Sequence, residues 1–195
     1  MIRFCDVFFS LLGLIVLSPI FVIIALCIVL DSRGGVFYRQ VRVGRGGKDF
    51  RLFKFRSMAS GADKKGLITV GAKDSRVTRI GYFLRKYKLD ELPQLLNVVR
   101  GEMSLVGPRP EVRKYVDMYT VEQRKVLAVA PGITDYASIE YADENTILGQ
   151  ARDPDRAYVE QIMPDKIRYN MKYIDNRCLK EYFKIIFLTL MKIVK

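Results

Sequence analysis

Hydrophobic positions are distributed very unevenly along this chain. Residues 1–30 contain only Arg3 and Asp6 as charged side chains, and the run Val7–Leu30 contains none. As a straight helix this run would reach about 36 Å, against a bilayer hydrocarbon core of about 30 Å. The plain interpretation is one ordinary transmembrane span, because the run is too long for a signal peptide and no small-residue cleavage site follows it.

Ser18 and Pro19 interrupt this apolar run in its middle. Pro19 cannot donate to the carbonyl of Ile15 and its ring presses against that carbonyl, so the helix should bend. The Ser18 hydroxyl can bond back to a carbonyl one turn earlier, which lowers the cost in lipid. A sharply bent helix that returns to the same face of the membrane is therefore an open alternative. Under either topology, the cationic residues that follow predict a cytoplasmic body; they are Arg33, Arg39, Arg42, Arg45 and Lys48.

Two strands are predicted after the apolar run, over Val36–Val43 and Asp49–Met58. The glycine-rich turn Gly44–Lys48 between them indicates a hairpin. Its backbone amides offer a phosphate site, but a plain turn is more common and the sequence matches neither a Walker A loop nor a dinucleotide fingerprint. A polar, glycine-containing loop is predicted from Ala59 to about Lys73.

Helical patterns dominate the remaining residues. A mostly helical stretch over Arg79–Arg100 restarts at Asp90–Pro93 and stops at Gly101, and two prolines make Gly107–Pro110 a rigid loop. The pattern predicts further helices, with a break at Pro164 in the second, over Glu111–Ala130, Asp155–Asn176 and Glu181–Lys195. The predicted fold class is thus α+β and mostly helical, with a small β-hairpin.

The last of these helices has two interpretations that periodicity alone leaves equal. It is amphipathic and carries lysines, so it could lie in a membrane interface or pack on the domain core. Its apolar positions are Phe183, Ile186, Phe187, Leu190, Met191 and Val194.

Composition narrows the chemistry more than it identifies a partner. The net charge is +12, and nearly all of the excess lies after residue 30, where it can face nucleic acid, anionic lipid or phosphorylated substrates. Histidine is absent, so the commonest general base and zinc ligand are missing. The three cysteines are scattered without metal spacing and fit a reducing compartment.

Asp90 and Glu91 form an acidic pair among cations. An ionised aspartate can attack phosphorus without a separate base, and positive neighbours should hold Asp90 ionised. A neighbouring glutamate can hold Mg²⁺, which bridges phosphate oxygens. The competing interpretation is a helix cap, because an aspartate before a helix with proline in its first turn is a common capping arrangement. Arg109 has a similar double interpretation: it clamps a carboxylate or a helix end, or it binds a diphosphate through two donors.

Taken together and in this order, these blocks resemble the small monotopic phosphoglycosyl transferases. This is the bacterial sugar transferase family, which initiates glycan assembly on undecaprenyl phosphate. The resemblance extends from the anchor to about residue 140 and is weaker beyond. The matching blocks are Leu17–Ile20, Phe37–Gly44, Gly47–Phe50, Phe53–Met58, Leu89–Leu95, Asn97–Val98, Gly101–Pro110 and Pro131–Thr134.

The resemblance implies a two-step reaction. Asp90 would attack the β-phosphate of a UDP-sugar, release UMP and form a phosphosugar–aspartate intermediate. Polyprenyl phosphate would then take the phosphosugar, which starts an O-antigen, capsule, exopolysaccharide or glycoprotein glycan. Mg²⁺ would be held by Glu91 with Asp90. The residues implied to bind substrate phosphate are Arg85 and Arg109, with Lys54 and Arg56 as weaker candidates.

The resemblance also implies a topology. Residues 1–32 would form a re-entrant membrane helix that turns at Ser18–Pro19, with both ends on the cytoplasmic side of the bacterial inner membrane. Residues 33–195 would form a catalytic domain attached to the membrane face by interfacial amphipathic helices. The implied partners are the UDP-sugar, polyprenyl phosphate and membrane lipids, with no nucleic acid; a homodimer is left open.

Two departures from the family pattern fall in the second half. Asp135–Tyr141 replaces the usual residues after Pro-Gly-Ile-Thr, including an arginine, and an acidic residue usual near the last helix falls at or beside Glu181 and Tyr182. They indicate a subgroup with its own sugar preference. The alternative function is a non-enzymatic membrane adaptor whose basic face binds anionic lipid or nucleic acid. A polytopic transferase is set aside, because only one long apolar segment is present.

Overall fold

A computed structural model gives the structure of residues 1–62 and 74–194. Residues 63–73 of the loop predicted over Ala59–Lys73 lie outside this described part. The helices are α1 (Ile2–Val16), α2 (Ser18–Asp31), α3 (Arg79–Lys86), α4 (Gln94–Arg100), α5 (Arg113–Val116), α6 (Tyr136–Glu140), α7 (Glu144–Gln150), α8 (Pro154–Ala157), α9 (Met163–Asp175) and α10 (Leu179–Val194). The strands are β1 (Phe37–Val43), β2 (Asp49–Phe55), β3 (Ser104–Val106) and β4 (Gly132–Thr134).

Within residues 1–62 and 74–194, two sheets of two strands each stand among the helices, so the predicted α+β, mostly helical class is confirmed. β1 and β2 form the predicted antiparallel hairpin, in which Tyr38 lies opposite Lys54 and Arg39 lies opposite Phe53. The pleat places Tyr38, Lys54 and their same-face neighbours on one side of the hairpin, and Arg39 and Phe53 on the other. We call these the inner and outer faces of the hairpin.

The apolar N-terminal segment is two helices rather than one. α1 and α2 meet at Leu17 with an angle of 61° between them, and the Ser18 hydroxyl donates to the Ile15 carbonyl at 2.8 Å. The bend predicted at Ser18–Pro19 is confirmed, because Pro19 sits where the second helix begins and needs no backbone donor. In the described part of the chain, no single helix has the length and apolarity to cross a bilayer, whereas α1 and α2 meet that criterion together.

The two charged side chains of α1 attach it to the rest of the molecule. Arg3 donates to the carbonyls of Val98 and Val99, at 2.6 and 3.0 Å, near the end of α4. Asp6 is buried, and one of its oxygens accepts three hydrogen bonds of 2.9 Å, from the Ser104 hydroxyl, the Leu105 amide and the Tyr182 hydroxyl. A buried carboxylate is tolerated only with such partners, so these bonds fix the orientation of α1.

The helical stretch predicted over Arg79–Arg100 is confirmed with its restart. The Thr78 side chain accepts the Gly81 amide at 3.0 Å and begins α3. A 3-10 turn over Leu89–Glu91 separates α3 from α4, and α4 ends at Gly101, whose φ of 86° favours glycine. The acidic pair therefore lies on a turn between two helices.

The single helix predicted over Glu111–Ala130 is wrong. Only α5 and a 3-10 segment over Gln123–Ala128 are helical. Between them Thr120 and Gln123 exchange side-chain bonds to each other's amides, at 2.9 and 3.2 Å, which restarts the chain in a new direction. The bend allows both parts to enter one core, which contains Tyr115, Val116, Tyr119, Val126, Leu148, Ile162 and Ile167.

The last two predicted helices are present, but the first is irregular at a different position and the second is only partly covered. A π-helical segment over Tyr158–Ile162 joins α8 to α9, and Pro164 stands in the first turn of α9, so the irregularity precedes the proline instead of following from it. In α10, Tyr182 and Ile185 are fully buried, whereas Phe187 and Leu190 are exposed. One face of α10 thus packs on the core, and most of the predicted apolar stripe stays uncovered.

Candidate active site

A pocket of about 1130 Å³ lies between the inner face of the hairpin, the Leu89–Glu91 turn and helices α6, α7 and α10. It exceeds the usual range for small-molecule sites, roughly 300–1000 Å³, and has room for a ligand as large as a nucleotide sugar. Of the predicted site residues, it is lined by Asp90, Glu91, Lys54, Arg85, Arg109 and Arg56.

The turn that carries Asp90 and Glu91 has an unusual backbone. Lys88, just before it, has a φ of 56°, a left-handed conformation that is uncommon for a residue other than glycine. Helix α4 has Pro93 as its N-cap and no capping side chain. The helix-cap interpretation of Asp90 is therefore wrong: its carboxylate borders the pocket, although only 7% of the residue is exposed.

Glu91 is held by two cations from different elements. Lys54 on β2 lies 3.1 Å from Glu91 Oε1, and Arg109 binds both carboxylate oxygens, with Nη1 at 3.0 Å from Oε2 and Nη2 on Oε1. Burial alone would raise the pKa of Glu91, but the charges of Arg109 and Lys54 outweigh burial and hold that pKa well below its usual range. The ion pairs with Arg109 and Lys54 thus favour the charged form of Glu91 in this pocket.

Asp90, the adjacent residue, has a different environment. Among residues 1–62 and 74–194, no side chain donates a hydrogen bond to its carboxylate or forms an ion pair with it. Burial raises the pKa of Asp90, and the positive charge of Lys54 offsets this only in part. The positive neighbours do lower the pKa of Asp90 as expected, but desolvation raises it by more.

Arg109 is positioned by its backbone. β3 and β4 pair in parallel. The loop after β3 is bonded back to β4, because the Gly107 amide donates to Thr134 O at 3.0 Å and the Gly132 amide donates to Pro108 O at 2.9 Å. The Arg109 amide then donates to Asp135 Oδ2 at 3.0 Å. The predicted rigid loop is therefore held on both sides, and the carboxylate-clamp interpretation of Arg109 describes this structure.

The other two predicted phosphate ligands differ in position. Arg85 borders the pocket and its charge lowers the pKa of Asp90, which places it near that carboxylate. The Arg56 guanidinium is instead bonded to the end of α2: it donates to Ser32 O at 2.6 Å, to Ile28 O at 3.3 Å and to Arg33 O. Ser32 and Arg33 follow the last residue of α2, and the Ile28 carbonyl also accepts the Ser32 amide, so the Arg56 guanidinium closes the C-terminal end of α2.

Sequence reasoning missed several residues of the pocket wall. Tyr38, Gln40 and Arg42 share the inner face with Lys54. Helices α6 and α7 and the turn between them supply Ser138, Tyr141, Asp143 and Glu144. Arg42 donates to the Pro110 carbonyl at 3.0 Å and thereby also supports the Arg109 loop. The alternation of polar side chains in β1 was an available signal, because positions 38, 40 and 42 lie on one face.

The described residues contain no group of three or more carboxylate, cysteine or histidine side chains that could hold a metal ion. The pair Asp90 and Glu91 supplies two carboxylates, and Glu91 Oε2 accepts one described bond, which leaves it further capacity. This donor set fits Mg²⁺, which commonly takes one or two carboxylates together with substrate phosphates and water.

The fold and the site together define an α+β protein with a bent apolar helix pair and a pocket of carboxylates and cations suited to phosphate esters. The chain belongs to the bacterial sugar transferase family, whose model matches residues 1–195. The resemblance drawn from the sequence blocks is therefore confirmed.

Three curated relatives illustrate the similarity. The chain is 36% identical over 195 residues to the UDP-N-acetylgalactosamine-undecaprenyl-phosphate N-acetylgalactosaminephosphotransferase of Aeromonas hydrophila, covering 98% of this chain and 43% of that protein. It is 39% identical over 193 residues to the UDP-glucose:undecaprenyl-phosphate glucose-1-phosphate transferase of Klebsiella pneumoniae, covering 97% and 39%. The enzyme of the same name from Escherichia coli K12 is 35% identical over 194 residues, covering 96% and 39%. The chain thus spans less than half the length of these relatives.

Proposed function

We propose that this protein transfers a sugar-1-phosphate from a UDP-sugar to polyprenyl (undecaprenyl) phosphate and releases UMP, the first step in assembly of a bacterial glycan. The activities for which the three relatives are named support this reaction class. The observation that carries the proposal is the contrast between two adjacent carboxylates: Glu91 is bound by Lys54 and Arg109, whereas Asp90 borders the same pocket without a partner among the described residues.

This contrast divides the chemistry between the two residues. A carboxylate clamped by two cations is a poor nucleophile, because its charge is already neutralised. An unpaired, partly desolvated carboxylate keeps its electron pair available for attack. Asp90 is therefore the nucleophile, and Glu91 holds the two cations at the edge of the phosphate position.

The reaction proceeds in two displacements. An Asp90 oxygen attacks the β-phosphorus, the bond from that phosphorus to the bridging oxygen breaks, and UMP leaves with the electron pair. A phosphate oxygen of the polyprenyl phosphate then attacks the same phosphorus, and the bond to Asp90 breaks. The product is a polyprenyl diphosphate sugar and the aspartate is regenerated, so no water or external oxidant takes part.

Three cations would stabilise charge on the transferring phosphate. Arg109 uses two of its donors on Glu91 and keeps others for a phosphate oxygen, and its side chain is 31% exposed. Lys54 and Arg85 border the pocket beside Asp90. Arg56 is left out of this set, because its guanidinium is bonded to the carbonyls that end α2.

Magnesium belongs to the proposal as well. Glu91, through its less occupied oxygen, and Asp90 would hold the ion, which when bound neutralises charge on the diphosphate oxygens. Lys54 and Arg109 keep both oxygens of Glu91 oriented in its absence.

The proposal includes membrane placement. The 61° bend at Leu17, the bonded Ser18 hydroxyl and the anchoring of α1 by Asp6 all support a re-entrant helix over residues 1–32, whose two ends lie on the cytoplasmic face of the inner membrane. The exposed apolar side chains of α10 support attachment of residues 33–195 to the same interface. The adaptor alternative shares this placement but has no use for Asp90.

The proposed reaction is tested by intact mass. The full chain is incubated with Mg²⁺ and either UDP-N-acetylgalactosamine or UDP-glucose, then with a wider UDP-sugar panel, and without lipid acceptor. We expect a phosphosugar adduct on Asp90 and release of one equivalent of UMP. Asp90→Asn should give neither, whereas Asp143→Asn, which changes another carboxylate of the same pocket, should keep both.

The outcome against the proposal is equally definite. If Asp90→Asn still transfers phosphosugar to polyprenyl phosphate, the nucleophile is elsewhere. If the wild-type chain releases no UMP with any donor of the panel and binds vesicles unchanged after Asp90→Asn, the protein is an adaptor.

A further inference from the structure

The outer face of the hairpin carries exposed arginines that have no role in the pocket. Arg39 on β1 and Arg51 on β2 are exposed, and Arg100 at the end of α4 is exposed beside them. Phe37 and Val41, on the same face as Arg39, are 46% and 51% exposed. We call this surface the outer hairpin patch: Phe37, Arg39, Val41, Arg51, Phe53 and Arg100.

Two of the arginines share one aromatic ring. The guanidinium carbon of Arg39 lies 5.0 Å from the centre of the Phe53 ring and that of Arg100 lies 4.8 Å from it. Cation–π contacts fix both guanidiniums in place but do not neutralise them. Within residues 1–62 and 74–194, none of the three arginines of the patch has a carboxylate partner. Like charges held this close repel each other, and a bound anion would relieve that repulsion.

The patch is continuous with the apolar helix pair. Arg3 of α1 donates to the carbonyls of Val98 and Val99, immediately before Arg100. At the other end of the patch, the Phe37 ring stacks on Phe55, which contacts Phe21 of α2. The arginines therefore lie beside the segment that enters the membrane in the proposed placement, where the available anions are lipid headgroups.

We propose that the outer hairpin patch binds the headgroups of anionic phospholipids, with the guanidiniums on the phosphate and Phe37 and Val41 against the adjoining acyl chains. Guanidinium and phosphate are complementary in charge and geometry. The alternation of exposed arginine with exposed apolar side chains matches an interfacial surface. This inference rests on the proposed membrane placement and not on the transfer chemistry, since Arg39, Arg51 and Arg100 do not line the pocket and only Phe37 of the patch borders it.

The sequence contains no tryptophan, which provides a clean reporter. Val41→Trp places one fluorophore in the patch, and the full-length protein is reconstituted into phosphatidylcholine nanodiscs with either brominated phosphatidylglycerol or brominated phosphatidylcholine at equal fraction. We expect stronger quenching by brominated phosphatidylglycerol. An arginine near an anionic surface contributes about fivefold in local lipid preference, so Arg39→Ala with Arg100→Ala should abolish most of the difference.

Matched controls distinguish lipid recognition by the outer hairpin patch from a general effect of the protein's positive charge. Val121→Trp, at another exposed position, should be quenched equally by both lipids. Arg124→Ala with Arg152→Ala removes the same charge elsewhere and should leave the preference of the Val41→Trp reporter intact. Phosphosugar adduct formation in detergent checks that each variant is folded. Its absence from the wild-type protein would count against the transfer proposal alone, because the quenching comparison does not depend on the adduct.

Two results would overturn the inference. Equal quenching of the Val41→Trp reporter by both lipids would mean that the patch meets acyl chains without recognising charge. If neither brominated lipid quenches the Val41→Trp fluorescence and copies of the chain crosslink through the patch, a second copy of the chain occupies it.

Discussion

Arg109 and Glu91 form a two-point ion pair between a proline-flanked loop and the turn that carries the candidate nucleophile. Arg109 Nη1 lies 3.0 Å from Glu91 Oε2, and Nη2 binds Oε1. The pair raises the pKa of Arg109 and lowers that of Glu91, because each charge stabilises the other. It joins the Leu89–Leu95 block to the Gly101–Pro110 block, and it orients the turn on which Asp90 lies.

The first prediction concerns this pair. Arg109→Lys keeps a positive charge but cannot bond both oxygens of Glu91, so the turn loses its orientation. We expect kcat/KM for transfer to fall roughly 10- to 100-fold, since hydrogen bonds to charged groups contribute about 1.5–3 kcal/mol. Initial rates of UMP release check it, and Arg113→Lys, whose partner Asp49 lies at the surface, should stay near wild type. A wild-type rate for Arg109→Lys would show that the two-point contact is dispensable.

The second prediction concerns pH. Asp90 attacks only when ionised, and burial raises its pKa, so the acid limb of adduct formation should lie above the ordinary aspartate value of about 3.9. Lys54 lowers that pKa, so Lys54→Met should move the limb to higher pH, while Lys54→Arg should keep it near its wild-type position. Single-turnover rates of adduct formation across pH measure the limb. A shift to lower pH in Lys54→Met would contradict the assignment.

The third prediction separates Arg56 from the phosphate site. Arg56→Met removes the side-chain donor of the Ser32 carbonyl and one of the two donors of the Ile28 carbonyl, so unfolding should become easier by about 1.5–3 kcal/mol. Arg51 on the preceding strand β2 is exposed, so Arg51→Met should change stability by less than about 0.5 kcal/mol. Thermal unfolding in a fixed detergent checks both variants. Adduct formation per folded molecule should be unchanged in Arg56→Met, and a raised KM for UDP-sugar would instead return Arg56 to the phosphate ligands.

The fourth prediction tests the loop that carries Arg109. A Cβ at Gly132 would lie 2.1 Å from the Gly107 amide nitrogen, so the two backbones must separate in Gly132→Ala. We expect a loss of about 1–3 kcal/mol in stability and a larger proportional loss of activity, because Arg109 moves with Gly107. Gly35→Ala, whose nearest contact would be an ordinary 3.8 Å, is the matched control for thermal unfolding and UMP release. Unaltered transfer by Gly132→Ala would show that the loop position is not critical.

Local sequence chemistry was sufficient for much of the fold. A proline inside a helical run interrupts it, so Pro19 predicts the break between α1 and α2. Gly101 ends α4 because glycine readily adopts a positive φ. The hairpin follows from glycines between two alternating segments. The prediction over Glu111–Ala130 failed because periodicity does not report the core that Tyr115 and Val126 share, and that core bends the chain.

The candidate active site likewise has features that the local sequence determines and features that depend on the tertiary structure. The sequence by itself determined the family, the acidic pair at Asp90 and Glu91, and the proline-flanked Arg109, since each depends on residues close together in the chain. Only the tertiary structure decided that Glu91 is paired, and that Asp90 has no such partner within residues 1–62 and 74–194. It also decided that Arg56 binds the end of α2 and that Tyr38 and Arg42 line the pocket. Those properties depend on burial and on charges brought from distant positions, and a linear pattern contains neither the dielectric environment nor the distances that set them.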